Sequence, residues 1–477
     1  MRRFAPGTAT IFAVALLVVS LAASNVPSPA PAPGLARAER LEEDVTTLDR
    51  LQALDRAIAF GNFGTRERIV GDPAPGWTGE ALVSGVRDDW EPAVAADPTD
   101  PYVYILTTRF GYPKPCPGNC PIPHISLQVS KDGGATWERP TPLCACKGSW
   151  QYDPIIEVVA DTGHVYALYL NGFNVVFVKS KDHGKTWSAP VKTYGNVSWN
   201  DKPAFATSAD GRHVYVSWNG PQGGDPWIAQ SHDSGNTWTQ KKLVENGRYF
   251  FAYDGVVLKD GTALLTNSSL SYTGPGAAAE GIVKQHLFVS RDRGTTWENV
   301  VMDKVHLGPP CTTAGCYGDF HSGHSGLSAD EDGDLVYVYD GAVESGGPQR
   351  AWVRTSTDAG RTWSERVGLS RPGVHTTGPV VDAKGNGDFR SWYAEQNDTD
   401  RWNVYYRRST DGGATWSPSV LLSDATSGAK YKNADGFLEF YGDYGEIAIT
   451  SQGKTIGVWG EGFSWIGPGG VWFNIGR

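Results

Sequence analysis

The hydrophobic positions of this chain come in short runs with a period of two, separated by glycine, proline and polar turn residues. From about residue 65 these runs recur in a fixed order. The first run of a repeat, such as EPAVAAD or DPIIEVVAD, ends at a turn. A second run such as HVYALYL follows, then a third such as VVFVKS and a fourth such as SAPVKT. Short alternating runs bounded by turn residues predict antiparallel β-strands, four to each repeat.

An octet follows the third strand of the repeats. SKDGGATW at 130–137 returns as SKDHGKTW, SHDSGNTW, SRDRGTTW, STDAGRTW and STDGGATW, with aspartates 50 to 66 residues apart. That spacing is the size of a four-stranded propeller blade. Serine and aspartate bond turn amides, glycine accepts a positive φ and tryptophan packs between blades, so the octet suits a tight hairpin. Aspartates spread around a ring cannot all reach one substrate, and we interpret the octets as elements of the fold.

Three further strands, YGEIAIT, KTIGVWG and GGVWFNI, follow the last octet without an octet of their own. We expect the N-terminal segment GEALVSG to supply the missing fourth strand. Closing the ring with strands from both ends removes a free sheet edge. The sequence therefore predicts an all-β chain with one seven-bladed β-propeller over residues 65–477.

The first 64 residues have a different pattern. Arg2 and Arg3 precede the apolar run TIFAVALLVVSLAA, which predicts a signal peptide over residues 1–24, an uncleaved anchor being the alternative. Residues 25–64 hold a proline-rich spacer and an amphipathic helix, whose apolar positions are Leu41, Val45, Leu48, Leu51, Leu54 and Ile58. We expect a secreted or periplasmic protein, with no membrane contact after cleavage.

Composition narrows the class of protein. With 58 glycines, 30 prolines and only two methionines, turns and strands are favoured over a helical bundle. The chain has a net charge of −10 and lacks the runs of basic residues that bind nucleic acids, so no nucleic acid is expected as a partner. In an exported chain an even number of cysteines favours disulfides. We expect two bridges among the first four cysteines and one between the last two, zinc at the first four being the alternative: Cys116, Cys120, Cys144, Cys146, Cys311 and Cys316.

The octet is the Asp-box, and over roughly residues 85–477 the chain resembles the sialidase superfamily of Asp-box (BNR-repeat) propellers. In a propeller the first strand of each blade lines a central channel, and here its start faces away from the octets. We call these seven starts the mouth. Its ionisable residues are Asp88, Asp89, Glu91, Asp153, Asp201, Lys202, Asp254, His321, His324, His375, Asp443 and Tyr444.

The many carboxylates of the mouth suggest a cation site. We predict that Asp153, Asp254 and Asp443, together with Glu91 and Asp201, bind a divalent ion such as Ca²⁺, while no cofactor is required for activity. The acidic stretch SADEDGD at 328–334 also resembles a calcium loop, but no downstream carboxylate completes its ligand set, so we predict a hairpin turn there.

The resemblance implies sialidase chemistry, in which three arginines bind the sugar carboxylate, an aspartate is acid and base, and a glutamate activates a tyrosine nucleophile. On the closing segment YGDYGEIAIT, Tyr444 matches the nucleophile and Glu446 is a possible partner. Asp88, Asp89 or Glu91 matches the acid. Arg87 and Arg109 are members of an arginine clamp that this sequence leaves incomplete, since AYDGVVL and HSGHSGL stand where arginines are expected.

The mouth also allows two other interpretations. His321, His324 and His375, with Tyr444 across the ring, resemble the bases of propeller polysaccharide lyases, and Lys202 is suited to neutralise a uronate. The predicted substrate-binding residues are Arg87, Arg109, Lys202, Asp201, His321 and His375. A third interpretation is a non-catalytic propeller that binds proteins, or binds glycans through tryptophans in WNGPQGGDPW, WYAEQNDTDRW and GEGFSWIGPGG. We expect a glycan-active secreted protein, with a sialidase-like exo-glycosidase favoured over the lyase and the binding propeller.

Overall fold

The computed structural model describes residues 71–83, 89–109, 121, 123–143, 149–197, 199–220, 224–272, 279–309, 322–396, 401–423, 429–430, 445–462 and 469–476. Every helix or strand in those ranges is a β-strand, which confirms the all-β prediction. The predicted signal peptide, spacer and helix lie outside the described residues, as do all six cysteines. Over the described ranges, no helix is long and apolar enough to cross a membrane.

After the short strand β1 (Ala81–Leu82), the chain forms successive sets of four antiparallel strands. The first three sets are separate sheets, whereas hydrogen bonds join the fourth set to the fifth and the sixth to the last. The first set is β2 (Asp89–Ala96), β3 (Val103–Arg109), β4 (His124–Ser130) and β5 (Thr141–Pro142). The second is β6 (Gln151–Val158), β7 (Val165–Asn171), β8 (Val175–Ser180) and β9 (Val191–Lys192). The third is β10 (Asp201–Thr207), β11 (Val214–Asn219), β12 (Pro226–Ser231) and β13 (Thr239–Lys242).

The remaining sets follow the same order along the chain. The fourth is β14 (Tyr249–Val257), β15 (Ala263–Leu270), β16 (Ile282–Ser290) and β17 (Glu298–His306). The fifth is β18 (Ser325–Ala329), β19 (Leu335–Ala342), β20 (Gln349–Ser356) and β21 (Val367–Gly368). The sixth is β22 (Thr376–Lys384), β23 (Asp388–Gln396), β24 (Arg401–Ser409) and β25 (Val420–Leu421), and β26 (Ala429–Lys430) also pairs with β24.

The last set is built from both ends of the chain. β27 (Glu446–Ile449), β28 (Thr455–Gly462) and β29 (Gly469–Gly476) follow one another, and β1 pairs with β29 through Ala81 opposite Phe473 and Leu82 opposite Trp472. The prediction that an N-terminal segment supplies the missing strand is confirmed.

The first strands of neighbouring sets pack side by side. β2 contacts β6, and the contacts continue through β10, β14, β18 and β22 to β27, which contacts β2 again. Buried apolar side chains fill the space between sets. For example, Val94 and Ile105 of the first set share a core with Val458 and Val471 of the last.

The octets form hairpin turns between the third and fourth strands of their sets. In the first octet the Asp132 carboxylate accepts from the Thr136 amide (2.8 Å) and hydroxyl (2.5 Å), and Ser130 Oγ accepts from the Gly134 amide (2.8 Å). Trp137 packs edge-on against Phe473, with ring centroids 5.3 Å apart. These contacts confirm the interpretation of the octet as a turn with an inter-sheet anchor.

The acidic stretch SADEDGD also forms a turn, as predicted, between β18 and β19. Asp330 Oδ1 accepts from the amides of Asp332 and Asp334, both at 3.0 Å. Its other carboxylate oxygen accepts from the Gly387 amide (2.8 Å) of the next set. Asp330 therefore caps its own hairpin and ties it to the neighbouring set.

Candidate functional site

Strand direction places the predicted mouth opposite the octets. In the first set Asp89 pairs with Arg109, and Arg109 pairs with His124, so these three residues lie at one end of the sheet. Val103 pairs with Ser130, the first residue of the octet, at the other end. The first strands therefore start at the end away from the octets, as the sequence predicted.

A backbone irregularity shapes the mouth in several sets. Glu91, Asp153 and Lys202 have φ of 48°, 50° and 50°, in the left-handed region that side chains other than glycine rarely adopt. A proline follows each of them, and the strand register shifts at the same point. Gly378, also before a proline, has φ of 60° at the equivalent place in the sixth set. A bulge of this kind re-aims the side chain that it carries.

Two predicted site residues of the first set bind each other. Arg109 Nε and Nη2 donate to the two carboxylate oxygens of Asp89 at 2.6 and 3.0 Å, and both side chains are buried. This is the bidentate geometry in which guanidinium groups bind carboxylates most strongly. Arg109, which the sequence predicted to bind the carboxylate of a sugar, binds the carboxylate of Asp89 instead.

Glu91 connects the first and second sets. Its Oε2 accepts from the Thr108 hydroxyl (2.7 Å) and from the amide of Asp153 (3.0 Å). Asp201 and Lys202 occupy the corresponding place in the third set, and both are buried. The charged residues predicted at these three starts thus do come to neighbouring positions on one rim.

His324 is held by a buried carboxylate that the sequence analysis did not identify. His324 Nδ1 lies 3.0 Å from Asp340 Oδ2, and Asp340 is fully buried. The same oxygen accepts from the Thr377 hydroxyl (3.2 Å) and the Gly378 amide (3.1 Å), while Oδ1 accepts from the Gly323 amide (2.6 Å). With Nδ1 donating to this carboxylate, Nε2 is the basic atom of the imidazole.

Two more side chains stand near His324. The ring of Tyr253, from the fourth set, lies 5.4 Å from the imidazole. His375, from the sixth set, interacts electrostatically with Asp340, and burial lowers the pKa of His375 to about 4. His375 Nδ1 accepts from the Gln349 amide at 3.3 Å. Asp340 therefore bonds His324 of the fifth set directly and acts on His375 of the sixth set through its electrostatic field.

Below the mouth, a cavity of about 780 Å³ runs between the first strands. Among the carboxylates that line it, four come from the first strands, and each of these four bonds the backbone of the next set along the chain or, for the last set, of the first. Asp254 Oδ2 accepts from the Leu327 amide (2.8 Å), Asp382 Oδ2 from that of Ile449 (2.8 Å) and Glu446 Oε2 from that of Val94 (2.5 Å).

The fourth carboxylate, Glu157, bonds the backbone of Thr207 in the third set. Burial raises the pKa of Asp254 to about 7 and that of Asp382 to about 6. Burial also raises the pKa values of Glu157 and Glu446 well above the ordinary range, and neighbouring carboxylates add to the effect. The structure therefore places Asp254 and Glu446 in the wall of this channel.

Some predicted residues cannot be placed. Arg87, Asp88, His321, Asp443 and Tyr444 lie outside the described residues. Among the residues that the structure describes, no group of three or more His, Cys, Asp or Glu side chains is arranged to hold a metal ion. Because Asp443 belongs to the predicted ligand set, the calcium ion stays a prediction.

The tryptophans predicted to be exposed are largely buried. Trp218, Trp392 and Trp402 expose 0, 2 and 4% of their surface, because strand alternation turns them into the cores between sets. For these three residues the prediction is wrong, while Trp227 is half-buried and Trp465 lies outside the described residues. Trp150, by contrast, is 44% exposed and stands directly before β6 at the mouth.

Sequence reasoning missed Asp340, Tyr253 and Trp150. Asp340 lies at the end of an ordinary second strand, LVYVYDGA, where nothing in the local pattern distinguishes it. A signal did exist for Trp150 and Trp199, since WQYDP and WNDKP repeat a tryptophan four residues before a proline at two successive strand starts.

Comparison with known proteins agrees with this architecture. The chain matches a family model described as a BNR repeat-like domain over residues 108–272 and again over 214–431. A sialidase from Micromonospora viridifaciens is 32% identical over 129 residues, which cover 21% of this chain and 19% of that protein. The match thus spans about a fifth of the length of that relative.

Two solved structures resemble the chain at lower identity. A Hadza microbial sialidase is 15% identical, with 83% of this chain and 68% of that one covered and a TM-score of 0.43. A polysaccharide lyase, an ulvan lyase, bound to -[GlcA(1-4)Rha3S]- is 13% identical, with 85% and 93% covered and a TM-score of 0.47.

Proposed function

The chain belongs to the family of BNR repeat-like domains, and from that premise we propose that it is a glycan-active propeller that cleaves a polysaccharide by elimination beside a uronate carboxylate. The observation that carries this proposal is the pair of His324 and Asp340 at the mouth, with Tyr253 beside it. A buried carboxylate that fixes one imidazole nitrogen leaves the other as a general base.

The proposed reaction uses these groups in one sequence of bond changes. Nε2 of His324 removes the proton from the carbon next to the uronate carboxylate. The electron pair forms a carbon–carbon double bond, the bond to the glycosidic oxygen breaks, and the Tyr253 hydroxyl gives a proton to that oxygen. The products are an unsaturated uronate and a new chain end. Lys202, a buried cation of the mouth, is proposed to stabilise the carboxylate through its electrostatic potential.

The architecture and setting are part of the same proposal. The sets of strands form seven blades around the channel, which is supported by the contact of β27 with β2 and the pairing of β1 with β29. The chain acts outside the cell on an extracellular glycan, a setting supported by the arginines and apolar run at its N-terminus. These features bring distant residues to one opening accessible to a polymer.

Sialidase-type hydrolysis is the second candidate, because a named sialidase shares 32% identity with part of this chain. It assigns the attack to Tyr444, with Asp89 or Glu91 as the acid. Two contacts favour elimination over it. Arg109 is already bound bidentately by Asp89, and Glu446 Oε2 bonds the Val94 amide in the channel wall.

The experiment compares two products from the purified mature chain. Polyuronates are assayed for the ultraviolet absorbance of unsaturated ends, and sialyllactose for released sialic acid. We expect unsaturated product, its loss in His324→Ala, and a decrease in kcat in Asp340→Asn, with His232→Ala as the control because His232 lies on the octet side. Full activity in His324→Ala contradicts the role of this residue. Released sialic acid that is lost in Tyr444→Phe supports the second candidate instead.

A further inference from the structure

Three aromatic side chains form a cluster on the rim of the mouth, between the second and third sets. Trp150 precedes β6, Phe173 lies in the turn between β7 and β8, and Trp199 comes shortly before β10. The rings of Phe173 and Trp199 are stacked at 5.6 Å and 17°, while Trp150 meets Phe173 edge-on at 6.2 Å and 79°. We call these three residues the aromatic platform.

The backbone is specially arranged to hold the platform. Phe173 and Trp199 have φ of 39° and 57°, values that bulky residues rarely adopt, so the surrounding structure must enforce them. Asn200 does part of this. Its amide donates to the Phe173 carbonyl (2.9 Å), and its Oδ1 accepts from the Val175 amide (2.6 Å).

Two glycines leave room for the tryptophans. A Cβ on Gly172 would lie 2.8 Å from Ser149 Cβ and 3.3 Å from the indole nitrogen of Trp150. A Cβ on Gly220 would lie 2.4 Å from the carbonyl oxygen of Trp199. Since Gly172 N also bonds the Trp150 carbonyl at 3.0 Å, the position of the exposed indole is set by the fold.

We propose that the platform binds a pyranose ring of an extended β-1,4-linked, gluco-configured polysaccharide, with the exposed indole of Trp150 stacking on the sugar. Such rings carry their hydroxyls at the edge and expose apolar C–H faces, which match the face of an aromatic ring. Phe173 and Trp199 hold the indole in place. This inference rests on the proposed function, because it supplies a binding subsite for the same glycan.

The neighbouring charges suit this ligand. Three residues after Trp150 comes Asp153, and three after Trp199 comes Lys202, each in the left-handed conformation at the mouth. Both side chains are buried, so they act on a stacked sugar through the electrostatic potential of the rim rather than through direct hydrogen bonds. The platform therefore continues the rim on which the proposed reaction takes place.

The test measures binding separately from cleavage. Calorimetry uses cellotetraose and a β-1,4-linked glucuronate tetrasaccharide, which offer the same ring faces but differ in charge. We expect Trp150→Ala to weaken binding of both sugars about tenfold, which corresponds to about 1.4 kcal/mol, with an unchanged unfolding midpoint. Trp150→Phe should retain part of the affinity.

The matched control is Tyr102→Ala, which removes an aromatic ring stacked on His183 at 4.2 Å at the octet end of the first set. It should leave both affinities unchanged. Equal affinity of Trp150→Ala and the parent protein, or no binding of either sugar by the parent, would overturn the platform. Binding that depends on Trp150, without any unsaturated product, would retain the platform and refute the proposed elimination.

Discussion

The carboxylates of the channel wall predict that stability falls as the pH rises, and Glu446→Gln tests this. A glutamine keeps an oxygen that accepts the 2.5 Å bond from the Val94 amide, and it removes the charge. The indole of Trp392 bonds the backbone carbonyl of Glu446 at 2.9 Å, so the substitution leaves that contact in place. The variant is therefore a close copy of the protonated side chain.

The sign follows from the raised pKa. An unfolded glutamate loses its proton near pH 4.3, whereas the folded protein raises the pKa of Glu446 well above that, so between the two values the folded state holds a proton that the unfolded state has released. Across that interval the folded state binds one proton more than the unfolded state, so the free energy of unfolding falls by about 1.4 kcal/mol for each unit by which the pH rises. This loss is complete once the pH passes the folded pKa. Glutamine shows no such loss.

The magnitude is large enough to measure. We expect the free energy of unfolding of Glu446→Gln to exceed that of the parent by an amount that grows with pH, at up to about 1.4 kcal/mol per unit above about pH 5. The same arithmetic for Asp254, whose pKa is raised to about 7, gives at most about 4 kcal/mol above that pH. Both side chains are only partly buried in the channel wall, and the resulting solvent screening reduces both figures.

The assay is urea unfolding followed by tryptophan fluorescence at several pH values from about 5 to about 8. Glu245→Gln is the control, since its side chain is 80% exposed and its removal should give a difference that does not change with pH. A difference for Glu446→Gln that is constant across the range, or a variant that is less stable than the parent at high pH, would refute the reasoning.

Other predictions concern the mouth, the octets and calcium. Arg109→Met should lower the free energy of unfolding by about 3 kcal/mol in denaturation, because it leaves the buried Asp89 without its partner, and Asp89→Asn in the same chain should restore part of the loss. Asp132→Ala should lower it by about 1 kcal/mol through lost turn bonds, with unchanged catalysis. Calorimetry should detect Ca²⁺ binding and a lower Tm under chelator; no heat and an unchanged Tm would contradict the calcium prediction.

The fold was predictable because its signal is repeated. The octet occurs six times in the sequence, and each copy uses local chemistry, such as Ser130 and Asp132 bonding amides within the same turn. The closing strand was also predictable, since three strands at the C-terminus needed a partner. The alternation of polar and apolar residues did not distinguish exposed tryptophans from buried ones. Trp218 and Trp392 stand in sequences that resemble loops, but both lie within strands with their side chains buried.

The candidate site was predictable in location but not in its pairings. Strand starts predicted neighbouring positions for His324 and His375, and the structure gives Asp340 a direct bond to His324 and an electrostatic influence on His375. The carboxylate comes from the end of a second strand, and only the register between β18 and β19 brings it beside the imidazole. In the same way, Arg109 was assigned to substrate, although its position opposite Asp89 in the register gave it a nearer partner.

The bulge before proline explains how one scaffold presents different chemistry at the mouth. Glu91, Asp153, Lys202 and Gly378 occupy the same position in four sets and share a positive φ, so the backbone there is fixed while the side chain varies. Proline after this position cannot donate to a strand ladder, which is consistent with a break in pairing at that point. Exchanging the charges of Asp153 and Lys202 would therefore change the electrostatics of the rim with little change in the backbone, and the glycan that binds there should change accordingly.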